Sequence, residues 1–237
     1  MENNKLLIAN LKMNMTIKDV KNYINVIENS INSKNVIICP SSIYVPYFIN
    51  KNFNVGIQNF SVDNCTGEIS SIQAKSMGIN FSIIGHSERR ILFKENSSLI
   101  NKKIKEAIKN NITPIICIGE TLEQKEMLKT NVVLKRQVID EFLDIDLSKV
   151  IFAYEPIWAI GTKIVPSIEE ITSTIDYIKC IVKEIYNKDV KVLYGGSIDE
   201  KNINQLVLIN NIDGFLVGAS SIDPNKFLRI VEVVVGQ

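Results

Sequence analysis

Histidine is the scarcest functional residue type in this chain, present once in 237 residues. Acid–base chemistry near neutral pH would have a single imidazole, His86, to work with, and one histidine leaves little for a metal cage. The four cysteines (Cys39, Cys65, Cys117 and Cys180) lie far apart and form no C-x-x-C pair. Neither a disulfide framework nor a zinc site follows from them. Cys39 and Cys117 fall in strand-like segments and Cys180 in a helical one, where each is expected as a small buried hydrophobe. A surplus of charge is missing too: 27 Lys and Arg against 26 Asp and Glu leave a net charge of +1. No block of like charges offers a surface to nucleic acid or to anionic lipid. No run approaches the roughly 20 apolar residues of a membrane span, and the first ten residues are too short in apolar side chains for a signal peptide. A soluble cytoplasmic protein is expected.

What the chain does have is alternation. Short apolar segments at 6–10, 35–39, 54–58, 81–85, 113–118, 150–154, 190–194 and 214–217 read as strands. Several are continuous runs, as parallel strands covered on both faces require. Helical periods lie between them. Ile168, Ile171, Ile175, Ile178, Val182 and Ile185 make one stripe, with Ser167 as its N-cap and Glu170 as the capping-box partner. Thr16 opens a first helix carrying Val20, Tyr23, Ile24 and Ile27. Residues 96–110 predict another, with Leu99, Ile100, Ile104 and Ile108 inward and its lysines solvated. Eight units at roughly 30 residues each suit a (β/α)8 barrel, and no linker divides residues 1–237, so one domain is expected. An open doubly wound sheet would use the same alternation.

The polar residues of interest gather where the strands end, the face on which such barrels carry function. Asn10 and Lys12 follow the first strand, His86 and Glu88 the fourth, Glu120 the fifth and Glu155 the sixth. Gly195-Gly196-Ser197 follow the seventh strand and Gly218-Ala219-Ser220-Ser221 the eighth. Taken singly each is weak: a lone histidine at a strand end is usually a hydrogen-bonded structural residue, and glycine serves any tight turn. Together they place a carboxylate, an imidazole, a cation and convergent backbone N–H groups able to hold an anion on one rim.

Seven motifs, in order, resemble the triosephosphate isomerase family along nearly the whole chain. They are Asn10-Leu11-Lys12; Thr66-Gly67-Glu68-Ile69-Ser70; Gly85-His86-Ser87-Glu88-Arg89-Arg90; Cys117-Ile118-Gly119-Glu120; Tyr154-Glu155-Pro156-Ile157-Trp158-Ala159-Ile160-Gly161-Thr162; Tyr194-Gly195-Gly196-Ser197; and Gly214-Phe215-Leu216-Val217-Gly218. The resemblance implies interconversion of dihydroxyacetone phosphate and glyceraldehyde 3-phosphate through an enediolate, with neither metal nor cofactor. Glu155 would be the base, and neutral His86 would polarise the carbonyl and help move protons between the two oxygens. Lys12 would place fixed positive charge near phosphate and enediolate, and Asn10 an amide donor. Gly161, Ser197, Gly218 and Ala219 would bind phosphate. Among supporting residues, Glu88 would hold Lys12 or the rim in place, or make a plain salt bridge, Ser87 would hold the Glu155 carboxylate in the empty site, and Cys117 is counted with them without a role of its own. Tyr194 and Ser197 would latch a lid over 156–165 that turns on Trp158.

The resemblance also implies a homodimer, with the Thr66 loop reaching into the neighbouring subunit to support Asn10 and Lys12. Three departures from the family pattern carry expectations of their own. The lid has only Lys163-Ile164-Val165 between Thr162 and Pro166, so its second hinge should move differently. Ala219 stands where a double glycine is usual and, by restricting φ, should weaken phosphate binding. The segment between Asn59 and Thr66 is a few residues short. A non-catalytic phosphate-binding relative, or a barrel enzyme for another sugar phosphate, are the alternatives.

Overall fold

A computed structural model describes residues 5–162 and 164–236. Lys163 of the expected lid therefore lies outside the described residues, as do residues 1–4 and Gln237. All eight apolar runs are strands: β1 (Leu6–Asn10), β2 (Val36–Cys39), β3 (Asn54–Ile57), β4 (Phe81–Ile84), β5 (Thr113–Ile118), β6 (Ile151–Tyr154), β7 (Lys191–Tyr194) and β8 (Gly214–Val217). They are parallel and paired in chain order. β8 returns to β1 in a register from Leu6 opposite Gly214 to Ala9 opposite Val217, so the sheet closes into a barrel. That closure rules out the open doubly wound arrangement. Five of the strands stop one residue short of the expected runs: β2, β6 and β7 begin later, β3 and β4 end sooner.

Among the described residues, ten helices surround the barrel. They are α1 (Ile17–Ile27), α2 (Val45–Phe48), α3 (Ser71–Ser76), α4 (Ser87–Leu92), α5 (Ser97–Lys109), α6 (Leu122–Glu126), α7 (Thr130–Glu141), α8 (Ile168–Tyr186), α9 (Ile203–Leu206) and α10 (Pro224–Val235). Local chemistry starts the long ones where expected. Ser167 caps α8 and Thr16 caps α1, each in a full capping box, with Glu170 and Asp19 as the reciprocal partners. Such a cap contributes about 1 kcal/mol. On α8 the middle of the stripe is buried, Ile181 joins it, and Ile168 and Ile185 at its ends are exposed.

Two expectations fail. Lys103 on α5 is buried rather than solvated, because its ammonium meets Glu95 at 2.7 Å and Asn59 at 2.8 Å. Cys180 is exposed, because it lies on the outer face of α8; Cys39 and Cys117 are buried as expected.

Strand alternation sorts the core into two layers. Leu7, Ala9, Val36, Ile38, Ile116, Phe152 and Tyr194 face the helices, whereas Leu6, Ile8, Ile37, Cys39, Ile115, Cys117, Ile151, Ala153, Leu193 and Leu216 fill the barrel. With a period of two, the next inward positions at or past the strand ends belong to Asn10, Glu155, Gly195 and Gly218. The pleat of the barrel thus determines which residues open onto its mouth. Among the described residues no helix is long and apolar enough to cross a membrane.

Candidate active site

His86 directly follows the turn after β4 and is the N-cap of α4. Its Nδ1 accepts the backbone N–H of Glu88 at 3.2 Å. An imidazole accepting at Nδ1 carries its proton on Nε2. That Nε2 faces the barrel mouth and lies 3.4 Å from Glu155 Oε1, both side chains being buried. Glu155 is held from three sides. Its backbone N–H continues the β5–β6 ladder to the Ile118 carbonyl at 2.8 Å. Gly195 leaves it room, since a Cβ there would come within 2.9 Å of Glu155 Cγ. The Cys117 thiol lies against its carboxylate, and burial first, then the Glu155 charge, push that thiol well above its ordinary range. Cys117 therefore stays protonated and unreactive behind the acid. Glu155 Oε2 is buried and has no hydrogen-bond partner among the described residues. A buried carboxylate oxygen in that condition is costly.

The hydrogen bond expected from Ser87 to Glu155 is not formed among the described residues. Ser87 is buried at the start of α4, but the carboxylate has turned to His86 and Cys117 instead.

Lys12 follows Asn10 in a left-handed backbone conformation, φ 49°. For a residue with a Cβ this costs on the order of 1–2 kcal/mol, and its neighbours hold it there. Asn10 Oδ1 accepts the Lys12 N–H at 3.3 Å, and Gln58 Nε2 donates to the Lys12 carbonyl at 2.9 Å and the Cys39 carbonyl at 3.0 Å. The ammonium bonds Glu88 Oε1 at 2.5 Å, as expected of Glu88. Partial burial would raise the Glu88 carboxyl, but the hydrogen bond and positive charge of Lys12 outweigh it and hold it below its ordinary value. Gln58 went unnoticed in the sequence although it directly follows β3, the position that singled out His86 and Glu155.

Asn10, Lys12, His86, Glu155, Gly161, Ser197, Gly218 and Ala219 all line one cavity of about 500 Å³ at the barrel mouth. Gly218 sits beside the Lys12 side chain, and Ala219 to Ser221 form a 3-10 turn. The first N–H groups of such a turn have no partner within it and can bind an anion. The expected penalty of Ala219 is not found in the backbone: Ala219 is not among the residues of positive φ. An L side chain is therefore accommodated without backbone strain.

The segment expected as a lid leaves the barrel through Pro156 and the 3-10 turn Ile157–Ala159. Trp158 Nε1 donates to Glu120 Oε1 at 2.8 Å, Tyr154 donates to the same oxygen at 3.2 Å, and the Lys125 ammonium lies 3.5 Å from the indole centroid. Burial nevertheless raises the Glu120 carboxyl. Glu120 thus anchors the turn that follows β6, a role that its place after β5 hinted at but did not specify. Ser197 Oγ donates to the Ala159 carbonyl at 2.6 Å, within the 3-10 turn after β6. The Tyr194 hydroxyl is buried and without a partner among the described residues. The Thr66 loop is exposed along residues 63–68.

The sequence model of the triosephosphate isomerase family matches residues 5–234. A triosephosphate isomerase of Thermodesulfovibrio yellowstonii is 38% identical over 242 positions, covering 96% of this chain and 98% of the relative. One of Alkaliphilus oremlandii is 36% identical, covering 95% and 98%. Another of Mesomycoplasma hyorhinis is 38% identical, covering 95% and 97%.

Proposed function

The chain belongs to the triosephosphate isomerase family and interconverts dihydroxyacetone phosphate and D-glyceraldehyde 3-phosphate, and from that premise we propose how its residues divide the work. The carboxylate of Glu155 takes a proton from the carbon beside the carbonyl and returns it to the adjacent carbon. His86 donates from Nε2 to the oxygen on which negative charge develops, and Lys12 adds fixed positive charge. A base paired with a neutral imidazole whose nitrogen faces a helix N-terminus is the established pattern of this family. Asn10 fixes a substrate oxygen, while the amides of Gly161, Ser197, Gly218 and Ala219 receive the phosphate. Lid closure over residues 156–165 excludes water and protects the enediolate.

One observation supports this reading most: the buried His86 Nε2 and Glu155 Oε1 stand 3.4 Å apart in the same cavity as Lys12 and the glycine-rich turns. Glutamine variants at His86 and Glu155 test it. The relatives named above support neither a non-catalytic protein nor a different sugar phosphate.

The whole chain acts as one catalytic domain in the cytoplasm, as a homodimer. Large apolar side chains stand in solvent on the segments that follow β1 to β4: Met13 is 90% exposed, Ile43 73%, Ile72 on α3 63% and Phe93 62%. A second subunit covering them would remove that apolar surface from water, and the exposed Thr66 loop falls between Ile43 and Ile72 in the chain. Sedimentation equilibrium is expected to give twice the 26.7 kDa chain mass. Met13→Glu is expected to shift the protein towards monomer and to lower activity, since Met13 adjoins Lys12. A wild-type monomer at micromolar concentration would contradict the dimer.

A further inference from the structure

Arg90, on α4 one turn from His86, binds three acceptors on three different parts of the chain. Nε donates to the Gly85 carbonyl at 2.7 Å and Nη2 to the Cys117 carbonyl at 2.7 Å. The guanidinium also grips Glu141 of α7 in a two-pronged pair, Nη1 to Oε1 at 2.6 Å and Nη2 to Oε2 at 3.0 Å. Glu141 is fully buried and takes a further bond from Ser97 Oγ at 3.3 Å. Among the described residues, neither Arg90 nor Glu141 lines the cavity, and the proton transfers do not use them.

The two carbonyls define the role. The β4–β5 ladder runs from Phe81 opposite Thr113 to Ile84 opposite Ile116 and ends there. Gly85 and Cys117 are the next residues on each strand, and Arg90 joins them where the backbone ladder stops. Gly85 immediately precedes His86. On the other side, β5 continues paired to β6 as far as Ile118 opposite Tyr154, and Glu155 N–H then binds the Ile118 carbonyl. The path from the imidazole to the carboxylate therefore crosses from β4 to β5 through a guanidinium. Gly85 makes room for it: its φ is +69°, and a Cβ there would lie 2.9 Å from Arg90 Nη2. Arginine suits such a junction because its planar fork serves several acceptors at fixed angles; lysine is a single point charge.

We propose that Arg90 is a positioning residue for the isomerisation, setting the spacing of His86 and Glu155 by tying the mouth ends of β4 and β5, with Glu141 fixing its plane. This deepens the reading of His86 and Glu155 given above and rests on it. The phosphate cradle, built on the loops after β6, β7 and β8, does not depend on the junction. Misplacing reacting groups by about 1 Å costs on the order of 10²-fold in rate, so the effect should appear in kcat and not in phosphate binding.

The test compares Arg90→Lys and Glu141→Gln in the full-length enzyme, with inorganic phosphate as the probe of the cradle. Arg90→Lys is expected to lower kcat about 10- to 100-fold, with KM and the inhibition constant of inorganic phosphate within about threefold of wild type. Glu141→Gln keeps both carbonyl bonds but loosens the fork, and is expected to lower kcat about three- to tenfold with the same unchanged phosphate constant. A purely structural role predicts a lower Tm with kcat per folded molecule unchanged, and that result in either variant overturns the proposal. Should Arg90→Lys not fold, Glu141→Gln decides alone. His86→Gln and Glu155→Gln run alongside: turnover retained in those means the underlying reading is wrong, whereas their loss beside a normal Arg90→Lys counts only against Arg90.

Discussion

Glu155→Gln is expected to leave the barrel folded and to lower kcat by about 10²–10⁴. The amide has nearly the shape of the carboxylate, so the packing against Gly195 and Cys117 survives. What disappears is the ability to hold a proton between removing it from one carbon and giving it to the next. KM should change far less, because the proposed phosphate cradle of Gly161, Ser197, Gly218 and Ala219 is left untouched. Steady-state kinetics with circular dichroism on the same samples checks both halves. Near-normal turnover in a folded Glu155→Gln protein would remove Glu155 from the reaction.

His86→Gln is expected to cost about 10²–10³ in kcat, the range for removing one donor from a developing oxyanion. Glutamine can still accept the Glu88 N–H that Nδ1 accepts at 3.2 Å, so the start of α4 should hold. It cannot present a ring N–H to the carbonyl at the same place and angle. Because Glu155 remains, proton removal at carbon should fall less than completed isomerisation. Dihydroxyacetone phosphate recovered from deuterated water should then carry more deuterium per turnover than with wild type. Equal loss of exchange and isomerisation would confine His86 to the developing oxyanion and remove it from proton movement between the two oxygens.

The chain announces its barrel because the signals are local and repeated. Each strand is a short apolar run, each long helix has a 3.6-residue stripe, and Ser167 and Thr16 place their capping partners three residues away. Helices as short as α2 and α9, with four residues each, are too brief for a period to show. Asn10, Glu155 and the glycine turns were legible because strand ends mark function in a barrel and the pleat brings these positions inward. Partnerships across the barrel were not. Lys103 reads as a solvated lysine in a lysine-rich helix until Glu95 and Asn59 are brought to it. Arg90 and Glu141 lie 51 residues apart, with nothing in either neighbourhood to suggest a buried pair. The orientation of the Glu155 carboxylate towards His86 rather than Ser87 is a choice of rotamer, which composition and spacing do not encode. Ala219 shows the converse: a departure from the usual glycine strains the backbone only where φ is positive, and there it is not.

The central claim, that Glu155 and His86 act together on one anionic triose, is tested most directly by a crystal structure with a phosphate-bearing enediolate mimic bound. The account predicts a Glu155 carboxylate oxygen over the carbon pair, His86 Nε2 and the Lys12 ammonium on the mimic's oxygens, and the phosphate on the amides of Gly161, Ser197, Gly218 and Ala219. A mimic seated with its carbons beyond the reach of Glu155, or with its phosphate away from those four amides, would contradict it.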